Sequence, residues 1–368
     1  MAAQLDDDDD DDGWAPRTIP RKLTKALSDA LAVLPETAPL VPRRDDYADD
    51  FLGFRRNHLR RSGGPVVLRL PELAAWRANG RWRRRDFLAD PYLSDVAVRP
   101  SRAPYVPDPK PVETAEGLPP AWTTLGAYVA DEFRGDAATL RAACEAFAET
   151  GDARQACAAA LRAPPPRVVF QRLTAALAPG LLADVSPPPP HFAAPTGHRP
   201  RAFVQQRSHV ADAPPFAVDA DPGARPLLRE DDDCTMKQFA LAPALSGSPP
   251  HIHGAAWNYL ASGRKRWFLW EPRDSTVDAF AASLGGEEPL PFGTPVLKWF
   301  VAEYPRLAVR PYEVVQEAGD VVFVPAGWGH AVLNLEPSVA VAFELGFPSL
   351  NDDPNAPTHG YMVVDLPA

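Results

Sequence analysis

The chain has 368 residues, 45% of them hydrophobic, and a formal net charge of −10 at pH 7. The acidic balance argues against direct nucleic-acid binding, and three cysteines (Cys144, Cys157, Cys234) are too few for a disulfide framework or a cysteine zinc site. No apolar segment opens the chain as a secretory signal would, and no stretch approaches about 18 uninterrupted apolar residues, so the expectation is a cytoplasmic or nuclear protein without a membrane span.

Length fits two or three domains, or one elaborated barrel of about 200 residues or more. Part of the charge sits in the run Asp6 to Asp12, which reads as a solvated acidic tail over residues 1–19. Arg21 to Leu34 predicts an amphipathic helix with Leu23, Leu27, Leu31 and Leu34 on one stripe. That stripe suits packing on a core or a homodimer contact, and packing is the simpler expectation. Asp45 to Arg61 predicts a second helix, ended by Gly63 and Gly64, and PVVLRL after it a strand. Arg81 to Asp86 is a short basic run, best read as a solvated helix face. Pro104 to Pro120 reads as loop. Ala137 to Arg162 is alanine-rich and predicts one helix, with Leu140, Cys144 and Phe147 on its buried side. Residues 163–200, with proline runs at Pro164 and Pro187, predict a long loop; the chain holds 44 prolines in all. Ala202 to Gln206 and Thr235 to Leu241 read as strands, separated by an exposed acidic stretch at Arg229 to Asp233.

The segment Pro249 to Trp270, PPHIHGAAWNYLASGRKRWFLW, carries His251 and His253. In an extended backbone residues i and i+2 face the same way, so both imidazoles would enter one space. A His-x-His pair by itself is a weak signal, since most such pairs are surface residues. Its frame strengthens it: the strands around Ala261 to Arg264 read as a hairpin. DVVFVP, HAVLNL and VAVAFEL read as three successive antiparallel strands, the second opening on His330. Two close histidines and one remote one are how a β-barrel assembles a metal site.

Taken together, HIHGAAWNYLASGRKRWFLWEP, KWFVAEYPRL and EAGDVVFVPAGWGHAVLNLEPSVAVAFELG resemble the catalytic core of the JmjC domain, nearest to the small JmjC-only hydroxylases. The matching motifs run from about Lys237 to Phe347, with weaker similarity back to Gly63, and TTLGAYVADEF resembles the helix that precedes the core. The resemblance implies a mainly β double-stranded β-helix of the cupin type with N-terminal helices. It implies Fe(II), 2-oxoglutarate and O₂ as cofactors and cosubstrates, and a protein or peptide substrate that is hydroxylated or demethylated. One position departs. The family's triad is His-x-Asp/Glu…His, whereas the middle ligand here is His253, flanked in role by His251 and His330. Three imidazoles still form a facial donor set for iron, and equally for zinc, copper or nickel, but the site loses a negative charge. A branch of small JmjC-like proteins without settled activity carries the same His-x-His. The alternatives to an active oxygenase are therefore a catalytically impaired metal-binding scaffold and a three-histidine cupin that does not use 2-oxoglutarate.

The same resemblance assigns Lys265 to the far carboxylate of 2-oxoglutarate, with Asn258 and Ser248 lining that pocket. Ala342 stands where the relatives have threonine, and Glu344 near a position that is often asparagine. Glu344 lies in an apolar strand on the face of Ala340 and Ala342; it would either meet the metal site or pair with an arginine at the barrel rim, the second being the simpler expectation. Trp257, Tyr259 and Tyr312 are candidate cleft aromatics, and Gly285 to Pro295 is an insertion that would border the cleft. The organisation expected is an acidic tail (1–19), a helical elaboration with the first strand (20–162), a proline-rich loop (163–200) and a JmjC/cupin-like core (201–368).

Overall fold

The computed structural model describes residues 14, 18–59, 63–98, 100, 123–135, 138–173, 178–192, 201–205, 235–251, 253–271, 295–345 and 361–365. The acidic run, the Pro104–Pro120 stretch, Arg229 to Asp233 and all of the 285–295 insertion except Pro295 lie outside them. The strands in chain order are β1 (Val66–Arg69), β2 (Ala97–Val98), β3 (Thr123–Thr124), β4 (Val169–Arg172), β5 (Arg201–Gln205), β6 (Thr235–Ala242), β7 (Gly247–His251) and β8 (Ala256–Ser262). They continue with β9 (Arg264–Trp270), β10 (Tyr312–Glu317), β11 (Asp320–Val324), β12 (Gly329–Asn334), β13 (Ser338–Leu345) and β14 (Tyr361–Asp365).

Two antiparallel sheets carry the fold, a six-stranded one in the order β1-β11-β8-β13-β6-β4 and a four-stranded one in the order β10-β9-β12-β7. The chain changes sheet at each tight connection from β6 to β9 and again from β10 to β13. This alternation makes a double-stranded β-helix, as expected. It corrects the hairpin reading. β8 and β9 are not partners: β8 lies between β11 and β13, and β9 between β10 and β12. Nor do β11, β12 and β13 pair with one another. A strand–turn–strand pattern sets chain reversal but not the sheet each strand joins. Here all these strands are covered on both faces, so no polar face distinguished the sheets.

Alternation along the strands sorts side chains into an outer and an inner set. From the large sheet, Phe239, Trp257, Phe323, Val341 and Phe343 point outward into a cluster with Phe54, Phe87, Tyr128, Leu181 and Phe192. From the small sheet, Phe268, Trp270, Ala331 and Leu333 point outward against Leu27, Leu31, Cys144, Cys157 and Trp299. Each such fully buried Phe or Leu contributes about 1.5–3 kcal/mol. Inside the barrel, Val67, Val322 and Val324 of the large sheet meet Trp267, Leu269, Val314 and Val332 of the small one and plug one end. At the other end several inward positions of β6, β8 and β13 are alanines (Ala240, Ala242, Ala256, Ala342), and there a cavity stays open. Small residues on three adjacent strands are the reason the cavity lies where it does.

The first helix is Arg21–Ala32, and its stripe packs on the barrel as expected, with Leu27 and Leu31 buried. Asp45 to Arg61 divides into a 3-10 turn at Asp45–Ala48 and a helix at Phe51–His58. The basic run lies on two short helices, Ala78–Arg81 and Arg84–Ala89; Arg81 is an exception to the solvated reading, since it bridges to buried Asp184 at 2.9 Å. The alanine-rich stretch is two helices, Ala138–Thr150 and Ala153–Ala160. Gly151 at φ 66 ends the first, and the Asp152 carboxylate caps the second by accepting from the Arg154 and Gln155 amides at 2.8 and 3.0 Å. The loop expected over 163–200 is also corrected. Val169–Arg172 is the edge strand beside β6, and Pro179–Asp184 is a helix with proline in its first turn. The prolines flank these elements rather than interrupt them. The strand at 201–205 pairs only with β14, outside both main sheets.

Candidate metal centre and cavity

His251 ends β7 and His330 is the second residue of the neighbouring β12, where the two are directly paired in the ladder. The register of this pair of strands shifts between His330 and Val332, a bulge of the kind that re-aims side chains beside functional sites. His253 lies two residues past the end of β7. Ring centroids are 4.1 Å apart for His251 and His330, 4.5 Å for His253 and His330 and 5.3 Å for His251 and His253. One nitrogen from each ring lies within 4.8 Å of the others.

The second nitrogen of each ring fixes its tautomer. Nδ1 of His251 donates to the Pro249 carbonyl at 2.7 Å, Nδ1 of His253 to the Gly254 carbonyl at 2.7 Å, and Nδ1 of His330 to the Trp328 carbonyl at 3.1 Å. A carbonyl only accepts, so each Nδ1 carries the proton and each Nε2 keeps its lone pair. Backbone carbonyls that orient ligating imidazoles in this way are the usual outer support of a metal site. Burial and the two neighbouring rings hold His330 well below the usual histidine pKa, which keeps it neutral and able to ligate.

The cavity holds about 810 Å³ of space between the protein atoms, its open mouth included. All the residues expected at the site line it: His251, His253, His330, Ser248, Asn258, Lys265, Ala342 and Glu344. Lys265 projects from β9 and is 6% exposed. Among the described residues no carboxylate pairs with its amine, and burial pulls its pKa down to about 7. Asn258 Oδ1 and Asn334 Oδ1 are buried acceptors without a donor among the described residues. Such groups are costly to leave unmet, and together they mark a polar ligand pocket.

Glu344 is half-buried, and its Oε1 accepts from the Gly254 amide at 3.2 Å. The arginine partner expected for it is not there: among the described residues no arginine pairs with it. Its carboxylate is also not within the three-histidine group. Trp257 stacks on Phe343 at 4.0 Å and on Phe192 at 4.4 Å, and Tyr259 donates to Asn79 in the outer core. Tyr312 packs against Trp328 and donates to Glu271 at 2.7 Å. These three are therefore packing residues, with Trp257 alone reaching the cavity wall.

Sequence reasoning missed Asn334, Trp267 and Gln238, which line the same space. Strand parity was the available signal: Asn334 is four residues from His330 on one strand, and Trp267 two residues from Lys265. Asn334 also sits directly across from Lys265 in the β9–β12 ladder. Trp267 stacks beside His330 at 6.0 Å and donates from its indole nitrogen to Gln316 at 2.8 Å.

Comparison with known proteins agrees with this geometry. Residues 250–345 match the family described as "JmjC domain, hydroxylase". The chain is 39% identical over 110 residues to mouse JmjC domain-containing protein 8, an overlap of 29% of this chain and 36% of the relative. It is 37% identical over 121 residues to the Arabidopsis thaliana lysine-specific demethylase JMJ21 (31% and 13%). It is 32% identical over 106 residues to the Danio rerio 2-oxoglutarate and iron-dependent oxygenase JMJD4 (27% and 24%). The chain thus spans well under half the length of these relatives. The motif, the two-sheet topology and these matches agree: residues 250–345 are similar to the JmjC domain family.

Proposed function

We propose that the chain is an Fe(II)/2-oxoglutarate-dependent oxygenase that hydroxylates or demethylates a protein side chain. The observation that carries this reading is the joint occupancy of one cavity by three oriented imidazoles and a buried lysine with no acid partner among the described residues. The donor set fits a divalent metal: three neutral nitrogens, each with its other nitrogen committed to a carbonyl. His251, His253 and His330 would hold the metal. When bound, iron and 2-oxoglutarate together supply O₂ activation for C–H oxidation.

The chain's own residues do the rest. Lys265, once protonated, would pair with the far carboxylate of 2-oxoglutarate, offsetting the cost of its burial. Asn258, Asn334 and Ser248 would offer the remaining polar contacts. Trp267, Val324 and Val332 close the inner end and exclude water there. One relative is named a lysine-specific demethylase, which supports a protein substrate, and another a 2-oxoglutarate and iron-dependent oxygenase, which supports the cofactors. Among the described residues no helix is long and apolar enough to cross a membrane, and a cytoplasmic or nuclear setting is part of the proposal.

A second reading, a metal-binding scaffold or a cupin without 2-oxoglutarate chemistry, is favoured by one observation, the histidine at 253 in the family's carboxylate position. Conversion of 2-oxoglutarate to succinate by the purified protein with Fe(II) and ascorbate, beside a His253→Asp variant, separates them. Turnover by the unmodified chain supports the oxygenase. Turnover only in the variant supports the scaffold, and turnover in neither, with no 2-oxoglutarate bound, contradicts the proposal.

A further inference from the structure

Resting on the metal-site reading, we infer that Glu344 is the positioning carboxylate of the three-histidine cluster: it anchors Gly254, whose carbonyl holds His253, and its field supplies the charge the ligands lack. Three neutral imidazoles leave a dication uncompensated, and in a partly dehydrated cavity that charge is felt strongly. Glu344 is the only carboxylate among the described residues lining the cavity.

The connection to the cluster is a single residue, Gly254, held at both its amide and its carbonyl. The Gly254 amide donates to Glu344 Oε1 at 3.2 Å, and the Gly254 carbonyl accepts from His253 Nδ1 at 2.7 Å. The amide and the carbonyl belong to adjacent peptide groups, so the carboxylate acts by fixing the position of residue 254, whose carbonyl holds His253 Nδ1 and thereby aims Nε2 at the metal site. His253 has particular need of such an anchor. It lies just beyond its strand and is half-buried, whereas His251 and His330 are buried within the sheet. The contact at residue 254 is close: a Cβ there would stand 3.0 Å from Glu344 Oε1, so the carboxylate would have to give by a few tenths of an ångström. Because Glu344 is outside the group of mutually close ligand atoms, its action is through His253 and through the field, not by ligation.

The test is Co(II) titration of the chelator-treated full chain, read from the visible spectrum, for the unmodified protein, Glu344→Gln, His253→Asp and the double variant. Glutamine keeps the size and an acceptor oxygen, so the fold, followed by circular dichroism, is retained. The expected result is a 10- to 100-fold weaker Co(II) affinity for Glu344→Gln. In the His253→Asp background, where a carboxylate is back in the triad, the same substitution should change affinity by no more than about twofold. Unchanged affinity in Glu344→Gln overturns the inference while leaving the metal site standing, and equal losses in both backgrounds overturn it too, since they denote a merely structural role. Absence of Co(II) binding by the unmodified protein overturns the metal-site reading and this inference with it.

Discussion

Replacing Lys265 by methionine should make the protein more stable and unable to bind its cosubstrate. The amine is buried, lacks an acid partner among the described residues, and has its pKa drawn from 10.5 to about 7 by desolvation. Each pH unit between those values corresponds to about 1.4 kcal/mol, so housing this lysine costs the folded protein about 4 kcal/mol at pH 7. Between pH 7 and 10.5 the unfolded chain binds the proton that the folded chain releases, and stability therefore rises with pH. Urea denaturation of the metal-free protein should show Lys265→Met more stable by up to about 4 kcal/mol at pH 7 and by less than about 1 kcal/mol near pH 10. The variant should lose the rise in stability over that range. For the unmodified protein, 2-oxoglutarate should bind best below pH 7, where the amine is charged, with an affinity that declines above it as proton uptake must accompany binding. A variant no more stable at pH 7, with the same pH profile as the unmodified chain, would refute the reasoning.

Substituting His330→Ala should abolish metal binding in equilibrium dialysis without unfolding the chain. The depressed pKa of His330 means that the unfolded state takes up more protons below about pH 6.5; stability of the metal-free protein should fall on acidification through that point, and less so in His330→Ala. Ala342→Leu fills open space beside the histidines and should leave stability within about 1 kcal/mol while eliminating 2-oxoglutarate binding measured calorimetrically. Arg266 donates to Glu313 Oε2 at 2.6 and 2.8 Å with both side chains buried. Arg266→Met strands that carboxylate and should cost about 3–5 kcal/mol in thermal or urea unfolding, with much of it recovered in the Arg266→Met/Glu313→Gln double variant.

Much of the site was legible because its residues obey strand parity. His251 and His330 are a cross-strand pair, and Lys265 and Asn258 alternate with outward-facing aromatics, so extended backbone alone aims them inward. Asn334 and Trp267 were equally legible by parity and were missed because the family motifs do not single them out. The sheet partners were not legible. The turn at Ala261 to Arg264 looks the same whether its strands pair or separate, and only burial on both faces, a property of the whole assembly, sends β8 and β9 to different sheets. β4 was hidden by the prolines around it, although Val168 to Phe170 is itself a β-prone run. The expected arginine partner for Glu344 failed for a related reason. Sequence shows an out-of-place charge but not which backbone amide is near enough to meet it.

The central claim is that one cavity holds both a metal on three histidines and 2-oxoglutarate on Lys265. The most direct test is anaerobic titration of 2-oxoglutarate into the Fe(II)-loaded protein, followed by visible absorption. A saturable charge-transfer band at one equivalent, absent from both His330→Ala and Lys265→Met, is the predicted result. An unmodified protein that binds Fe(II) but develops no such band, or that binds neither, would contradict it.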